Sequence, residues 1–489
     1  MVSFTPTAGT QLARFIKGEG NIPSWLHWLL CLSAVPTVTY IVLQFGFWAG
    51  IGLIVVIIAM PVSMAALWNT GIGLYILVLF AFFISIPNRL AEGIPMGIGM
   101  DVMILIMLVG LLYRCTVKRD WDSFKTPISL AVFLWAGMNV IELFNPWAGS
   151  RAAWFYVIRP AVGYMMLFFL TYSYLNSKQK LFRLLGVILF LSFVSAVWGI
   201  WQATVGYFSW EYNYVFSHDL VHLVFNYGRW RAIGSIGSPA QFGILMAFIS
   251  MLCLPLVGVS KSYWMKLILL TVSATTLLAM VYSGTRSAFI IIPVFYVIWV
   301  FLARQRWMYK SLAVAVVGFI VLATTPSNNY HVQRIQSVFK ASEDKSYQTR
   351  AKNRAMIFPW ILAHPIGGGL GSTGVWGQRF TPGTFLALFA PDSGLIRVAV
   401  ELGWIGLFFF LWLYFKIIKE GVVASTRMED KTLQALAYGL LAAITPLLLV
   451  EWGQEVIGVF PMSVLFWMFV AILFRAINLS SIKNNANTI

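Results

Sequence analysis

Four short polar motifs, each beside a long apolar segment, hold the residues of this sequence that could do chemistry. Three carry arginine near a segment boundary or a glycine run, and a guanidinium group forms paired hydrogen bonds with phosphate. The fourth carries an aspartate, which can accept a proton from a hydroxyl group if burial raises its pKa. Chemistry on an anionic substrate is therefore indicated. The motifs are Arg229–Pro239, Tyr282–Ala288, Asn353–Gly371 and Pro391–Gly406.

The first two motifs place arginines where apolar segments begin. Arg229 and Arg231 precede a segment that opens at Pro239, and the intervening glycines allow tight turns. Arg286 stands in a very short turn, at the start of the segment that follows. A helix N-terminus attracts anions through its unpaired N–H groups, and a charge at a membrane boundary is costly unless it is paired or used. An anion site at Arg286 is therefore predicted.

The third and fourth motifs combine a glycine run with acidic residues. Residues 364–371 read His-Pro-Ile-Gly-Gly-Gly-Leu-Gly, which is not a P-loop because no Gly-Lys-Ser/Thr follows. Asp392 precedes an apolar segment, so capping of a helix is the alternative to a catalytic role. Glu401 falls about two turns into that segment, where a carboxylate needs a partner. Arg397, four residues earlier, is predicted to form an ion pair with it.

Composition predicts an all-α protein that crosses a membrane many times. Hydrophobic residues make up 60% of the chain and charged residues 10%, and apolar runs recur throughout. Runs of about 20 apolar residues span a bilayer as helices. The three cysteines lie in or beside such runs without metal-ligand spacing, which indicates packing residues. Fourteen spans are predicted, near 25–43, 47–67, 71–86, 98–114, 127–144, 154–175, 182–205, 239–259, 264–283, 287–303, 309–325, 393–418, 433–450 and 456–474.

Basic residues in the short connections predict the orientation of these spans. Clusters of basic residues fall on one side if the span count is even, which places both termini in the cytoplasm. The net charge of +17 then reflects membrane topology and not nucleic-acid binding. The opposite side carries the predicted outer loops, at 87–97, 145–153, 206–238, 284–286 and 326–392.

The outer loops are unexpectedly rich in arginine. An anionic substrate on the outer face would explain this breach of the charge trend. Lipid headgroups or nearby acids such as Glu92, Glu211 and Asp219 are the alternative partners. Aromatic residues in loop 206–238 fit either a membrane interface or a sugar-stacking surface. The arginines are Arg89, Arg151, Arg159, Arg229, Arg231, Arg286, Arg334, Arg350, Arg354 and Arg379.

Taken in order, the four motifs resemble those of the O-antigen ligase and polymerase family of bacterial inner membranes. Family members have an Arg-x-x-Gly entry to a span, a Ser-Arg-Gly-like turn, a Pro-x-x-Gly-x-Gly run, and a His-Asn-x-x-Leu signature followed by Glu-x-Gly-x-x-Gly. The resemblance covers residues 195–475. The matching residues are Arg231, Gly234 and Pro239; Thr285, Arg286 and Ser287; Pro365, Gly368 and Gly371; and Asp392, Ser393, Gly394, Leu395, Glu401, Gly403 and Gly406.

The resemblance implies a GT-C-like, all-α polytopic membrane protein with about 12–14 transmembrane helices and a large, partly helical periplasmic loop. Residues 1–194 would form N-terminal transmembrane helices, and residues 195–475 the ligase/polymerase-like domain with loops 206–238 and 326–392. Residues 476–489 would form a cytoplasmic tail. The expected location is the bacterial inner membrane, with the active face in the periplasm.

The resemblance also implies a metal-independent, inverting glycosyltransferase of surface polysaccharide biosynthesis that needs no cofactor. The donor would be an undecaprenyl-pyrophosphate-linked oligosaccharide and the acceptor a glycan, with membrane lipids and other polysaccharide assembly proteins as further partners. Asp392 and Arg286 are the predicted catalytic residues, acting on the acceptor hydroxyl and the leaving pyrophosphate. The predicted residues for binding pyrophosphate or glycan are Arg229, Arg231, Arg354, His364, Gly368 and Arg397.

Asp392 departs from the family pattern, because ligases of the family have histidine there as the expected base. A polymerase of exopolysaccharide or O-antigen type is therefore favoured. The first alternative is an O-antigen ligase acting on lipid A-core or another acceptor. The second is a flippase or transporter for a lipid-linked glycan, although no clear internal repeat is seen. His331 and His364 are the other candidate bases.

Overall fold

Helices dominate the computed structural model. The structure describes residues 60–90, 96–226, 228–305 and 345–487, with isolated positions elsewhere. Within these residues, nine helices are long and apolar enough to cross a membrane. The predicted all-α polytopic membrane protein is thus confirmed. The predicted spans at 25–43, 47–67 and 309–325 lie partly outside the described residues, and His331 and Arg334 lie wholly outside them.

Helices α1 to α7, whose bounds are given below, precede the aromatic loop, and a further helical stretch covers residues 60–68. Between α5 and α6, residues 159–163 form a π-helical turn that includes Pro160, a residue that cannot continue a regular hydrogen-bond ladder. The helices are α1 (Thr70–Phe83), α2 (Ser85–Leu90), α3 (Met96–Lys118), α4 (Ser129–Ile141), α5 (Arg151–Ile158), α6 (Leu167–Tyr174) and α7 (Lys178–Thr204).

The second half begins with the aromatic loop, which folds into two short helices and a two-stranded antiparallel hairpin. Phe225 pairs with Trp230 and Asn226 with Arg229. The elements are α8 (Ser209–Ser217), α9 (Val221–Val224), β1 (Phe225–Asn226), β2 (Arg229–Trp230), α10 (Pro239–Val259), α11 (Tyr263–Ser283), α12 (Arg286–Ala303), α13 (Lys345–Ala363), α14 (Gly374–Phe380), α15 (Phe385–Leu388), α16 (Gly394–Glu401), α17 (Gly403–Ser425), α18 (Lys431–Gly453) and α19 (Met462–Asn487).

Helices α10, α18 and α19 lie at the centre of the bundle. The most apolar 18-residue window is 78% buried in α10 and α19 and 67% buried in α18, against 28% in α12. The rings of Phe248 in α10 and Phe469 in α19 pack with their centroids 4.6 Å apart. Because helices satisfy their backbone hydrogen bonds internally, such segments can pack closely within a bilayer. The ends of these buried helices therefore fix the positions of the loops that are attached to them.

The predicted span at 393–418 is wrong in one respect, because it contains a break between two helices. Ser393 caps α16 by accepting a hydrogen bond from the Ile396 N–H at 3.3 Å, and α16 ends at Glu401. Gly403 begins α17 with φ 69°, a left-handed conformation that suits glycine. A β-carbon there would overlap the carbonyl oxygen of Pro365. The glycine run thus packs directly on the break, and α16 is a separate helix.

Contacts between loops agree with the division of loops that the charge pattern predicted. Arg89, in the first predicted outer loop, forms an ion pair at 3.2 Å with Glu211 in the aromatic loop. Arg231 of the aromatic loop bonds to the turn before α12. Asn145, in the loop before α5, donates to the Ile366 carbonyl beside the glycine run at 2.9 Å. These pairs join loops that were predicted to share one side.

Arg89 and Arg159, among the unexpected arginines, have acidic partners at hydrogen-bonding distance within the described residues. The side chains of Arg89 and Glu211 are 3% and 1% exposed, and Gln202 also donates to the Glu211 carboxylate at 2.6 Å. Arg159 pairs with Asp101 at 2.8 Å. The alternative of a local acidic partner therefore applies to Arg89 and Arg159. The Arg89 pair is thus buried within the fold, whereas the Arg159 side chain remains 40% exposed.

Candidate functional site at the end of helix α18

Three glutamates surround one arginine where α16 meets the C-terminal end of α18. Arg397 Nη1 lies 2.7 Å from Glu455 Oε2, and Arg397 Nε lies 4.0 Å from Glu401 Oε1. Glu451, at the end of α18, completes the group, which we call the carboxylate cluster (Arg397, Glu401, Glu451 and Glu455). The predicted pairing of Arg397 with Glu401 is therefore only the longer of two contacts. The closer partner, Glu455, lies in the loop after α18.

The glycine run holds Glu401 in place. The N–H groups of Gly368 and Gly369 donate to the carbonyls of Val400 and Glu401 at 2.8 and 2.9 Å. The Gly371 N–H then donates to the Glu401 carboxylate at 3.1 Å, and the Thr373 hydroxyl donates to its other oxygen. Hydrogen bonds of this kind satisfy a buried carboxylate without a second cation. The glycine run thus fixes the position of the C-terminal end of α16.

Glu451 is held by backbone groups of the loop that follows α18. Its carboxylate accepts hydrogen bonds from the N–H groups of Val456, at 3.1 Å, and Ile457. The Ser393 hydroxyl donates to the Glu451 carbonyl at 2.8 Å, so the start of α16 is tied to the end of α18. A β-carbon at Gly394 would overlap the Glu451 carboxylate. Glycine at this position therefore allows the close approach of α16 to α18.

A cavity of about 200 Å³ opens beside the carboxylate cluster. All four cluster residues line it, and three tryptophans form much of its apolar wall. Within the described ranges, no group of three or more His, Cys, Asp or Glu side chains is placed to hold a metal ion. The residues that line the cavity include Arg397, Ser463, Asn139, Trp135, Trp376 and Trp467.

Two arginines of α13 bind the C-terminal end of α18 on the exposed side of the cluster. Arg350 donates to the Gly453 carbonyl at 3.0 Å, and Arg354 donates to the Trp452 carbonyl at 2.7 Å. The Arg354 guanidinium also lies 4.6 Å from the centre of the Trp452 ring. Cations are favourable at this end of a helix, where the carbonyl groups are unpaired. Helix α13 is therefore anchored on α18 by two arginines. Arg354 was predicted to bind substrate, and Arg350 was not.

Asp392 lies next to this anchor. Its Oδ2 is 3.9 Å from Arg350 Nε, and its carbonyl accepts a hydrogen bond from the Glu455 N–H at 3.2 Å. The alternative role as a helix cap is wrong, because Ser393 provides the cap. The side chain is 45% exposed, so the burial expected of a general base is also missing in this structure. The Asp392 carboxylate is thus open to an incoming molecule, beside a cation.

Arg231 holds the turn that precedes Arg286. Its guanidinium donates to the carbonyls of Ser283, at 2.7 Å, and Leu223, at 3.0 Å, and to the Thr285 hydroxyl at 3.2 Å. These bonds fix the turn between α11 and α12, so Arg231 acts on Arg286 through the backbone. Arg286 is the first residue of α12 and is half-buried.

The predicted site residues fall into three groups in space. Asp392, Arg354 and Arg397 meet around the end of α18, and Arg286 is next in sequence to Ser287, which donates to Gln454 at 3.2 Å. His364 and Gly368 lie behind the cluster, where His364 stacks on Trp360 with ring centroids 4.0 Å apart. Arg229 is exposed on the hairpin of the aromatic loop.

Sequence reasoning missed Glu451 and Glu455. The chain has 17 acidic residues among 489, and these two fall four residues apart in the short gap between the last two predicted spans. Acidic residues near the middle of apolar sequence are costly and rarely without a function. The placement of two acidic residues between apolar segments, in a chain with few acids, could have identified Glu451 and Glu455 as candidates.

Glu455 should make the stability of the protein fall as pH rises from acid towards neutral. Burial raises the pKa of Glu455, Arg397 opposes this shift, and Glu401 adds to it. The folded state then binds a proton more readily than the unfolded state between the ordinary and the raised pKa, so stability decreases with pH across that window. Glu455→Gln should flatten this part of a plot of melting temperature against pH, recorded from about pH 4 to 8. An unchanged slope would contradict the prediction.

Fold and site together define a helical membrane protein in which loop residues and short helices meet at the C-terminal end of α18. A family model described as O-antigen ligase matches residues 268–411, which include Arg286, α13, the glycine run and α16. The chain is also 23% identical over 333 residues to a Salmonella muenchen protein named O-antigen polymerase, covering 63% of this chain and 80% of that protein. The resemblance predicted from the motifs is confirmed, and the chain is O-antigen ligase/polymerase-like. This family supports a role in surface polysaccharide biosynthesis.

Proposed function

We propose that this protein is a polysaccharide polymerase that transfers glycan from an undecaprenyl-pyrophosphate-linked donor to a glycan acceptor at the periplasmic face of the bacterial inner membrane. The observation that carries the proposal is the convergence at the end of α18. Cationic side chains and an open aspartate lie outside this helix end, and a cavity lined by carboxylates and tryptophans lies beside it. A glycosyltransferase with an anionic leaving group needs both kinds of surface.

The proposed reaction is a single displacement with inversion at the anomeric carbon. The acceptor hydroxyl oxygen attacks the anomeric carbon of the donor sugar as the bond from that carbon to the pyrophosphate oxygen breaks. Arg286 and Arg354 stabilise the charge that grows on the pyrophosphate. Asp392 accepts the hydroxyl proton, and the donor glycan closes over its exposed carboxylate. Arg231 positions Arg286 by fixing the turn before α12.

The polymerase assignment has two supports. Asp392 stands where ligases of the family are expected to have histidine. The Salmonella muenchen relative is named O-antigen polymerase and matches most of its length. The description of the matching family model favours the alternative, a ligase that moves finished glycan onto lipid A-core or another acceptor. The products separate the two, because only a polymerase adds repeat units to the lipid-linked chain.

Reconstitution with defined lipid-linked oligosaccharides tests the proposal. Wild-type protein in vesicles should lengthen the donor by whole repeat units. Arg286→Gln and Asp392→Asn should each lower this product by on the order of tenfold to a hundredfold, since each removes a group that acts on developing charge. Arg427→Gln is the matched control, because Arg427 is an exposed residue in the loop between α17 and α18. Its activity should equal that of wild type.

The same variants in cells test the flippase alternative. For an enzyme, loss of Arg286 leaves the lipid-linked unit on the outer leaflet, where the donor awaits transfer. Accumulation on the inner leaflet would overturn the proposal in favour of a flippase. Transfer of intact glycan to a different acceptor, without new repeat units, would overturn the polymerase assignment in favour of a ligase.

A further inference from the structure

The cavity beside the carboxylate cluster contains polar groups that lack a partner. Arg397 Nε and the Ser463 hydroxyl are buried atoms, and neither has a hydrogen-bond partner among the described residues. Both residues line the cavity. Buried polar atoms are normally satisfied, so these two atoms, in residues that line the cavity, can each take a further hydrogen bond if a small shift of the wall exposes them. Arg397 Nε can donate a hydrogen bond, and the Ser463 hydroxyl can donate or accept one. Both groups suit a ligand that is rich in hydroxyl groups.

The charges in this cavity disfavour phosphate. Three carboxylates and a single guanidinium line it, and that guanidinium is already paired with Glu455 at 2.7 Å. A pyrophosphate would therefore meet an excess of negative charge at close range. Carboxylates instead accept hydrogen bonds from hydroxyl groups. The cavity thus matches a neutral, hydroxylated molecule and not the anionic part of the donor.

The cavity has the size and walls of a site for one ring. Its volume of about 200 Å³ is smaller than the roughly 300–1,000 Å³ pockets that enclose drug-sized ligands. Trp376 is held by an aromatic contact with Tyr156, at 5.2 Å between centroids, and by Arg379, 5.9 Å from its ring. A cavity lined by both a fixed aromatic ring and charged hydrogen-bonding groups suits a sugar, which has both an apolar face and an edge of hydroxyls.

We propose that this cavity is a subsite for one neutral sugar ring, which Trp376 packs against and the carboxylate cluster hydrogen-bonds. The inference rests on the proposed function and deepens it, since it separates the sugar subsite from the pyrophosphate site at Arg286. The ring comes from either the donor or the acceptor glycan. Of the two predicted ligands of Arg397, pyrophosphate and glycan, this residue then binds the glycan. Glu455 and Arg397 orient the hydroxyl groups of the ring.

Sugar binding is measured directly by saturation-transfer NMR on the full chain in nanodiscs. The probes are glucose, galactose, mannose and N-acetylglucosamine, with inorganic pyrophosphate as competitor. At least one sugar should show transfer that Trp376→Leu lowers by about tenfold and Trp376→Phe largely restores, because the aromatic face is what the leucine lacks. Ser463→Ala should lower it by about threefold. Trp264→Leu, which removes an exposed tryptophan of α11, is the matched control.

Transfer assays identify the source of the ring. Trp376→Leu should raise KM for one glycan substrate by about tenfold and leave that for the other unchanged. A rise in the donor KM assigns the ring to the donor, and a rise in the acceptor KM assigns it to the acceptor. If wild type makes polymer but Trp376→Leu and Ser463→Ala change neither KM nor saturation transfer, the subsite is wrong and the proposed function stands.

The reverse failure is also distinguishable. If wild type makes no polymer from any lipid-linked donor but binds a free sugar in a Trp376-dependent manner, the proposed function is wrong and the subsite stands. Displacement of the sugar by pyrophosphate would overturn the subsite, because it would show that the cavity accepts the anion that its charges should exclude.

Discussion

Arg397→Leu should lower the free energy of unfolding by about 3–5 kcal/mol, because it leaves buried carboxylates without their cation. The side chains of Glu401 and Glu455 are 5% and 15% exposed, so water replaces the lost guanidinium only in part. Neither residue has another cationic partner among the described residues. The melting temperature in detergent and unfolding by denaturant both measure the effect, and polymer formation should be lost with it.

A double substitution shows whether the loss comes from the unpaired charge. Arg397→Leu combined with Glu455→Gln should recover at least half of the lost stability, since the amide carries no charge to desolvate. Arg427→Gln, at an exposed position, should melt as wild type does. Equal melting temperatures for Arg397→Leu and wild type would show that the ion pair contributes nothing to stability.

Gly403→Ala should lower the free energy of unfolding by roughly 2–5 kcal/mol, through two separate effects. The left-handed φ of 69° strains any residue with a β-carbon. That β-carbon would also overlap the Pro365 carbonyl, which is backbone and cannot rotate away. The glycine run must then move from the end of α16, and Glu401 loses its bond from Gly371. Polymer formation should fall together with the melting temperature.

Gly383→Ala separates the two effects. Gly383 also has a positive φ, 82°, but a β-carbon there would meet nothing within 4 Å. Only the conformational cost, about 1–2 kcal/mol, should remain. If both alanine variants lose the same stability, the contact between Gly403 and the glycine run has no energetic importance. In that case the break before α17 would not position the site.

Apolar runs predicted the spans closely where polar residues bound them. The predicted spans 239–259 and 264–283 match α10 (Pro239–Val259) and α11 (Tyr263–Ser283) to within one residue at each end. The break at Gly403 was missed because the residues that follow it are almost all apolar, so hydropathy does not change there. Only the glycine marked the break, and glycines also occur inside helices of this chain.

The site was predicted in part, by residue type and not by pairing. Arg354, Asp392 and Arg397 do meet at one place, because motifs at loop ends are brought together when helices bundle. The partner of Arg397 could not be predicted, since Glu455 lies 58 residues further along the chain. Local spacing favoured Glu401, at i+4, but α16 turns that carboxylate towards the glycine run.

The same separation of 58 residues sets an order of events during synthesis. At about 5–20 residues per second, the ribosome adds Glu455 roughly 3–12 s after Arg397. Throughout that interval the guanidinium of Arg397 in α16 lacks its closest partner, Glu455. Helix α18 has not yet been inserted in full. The site therefore matures only when the final helical pair enters the membrane. A nascent chain that ends before residue 455 has only the longer contact of Arg397, the one with Glu401, available to it.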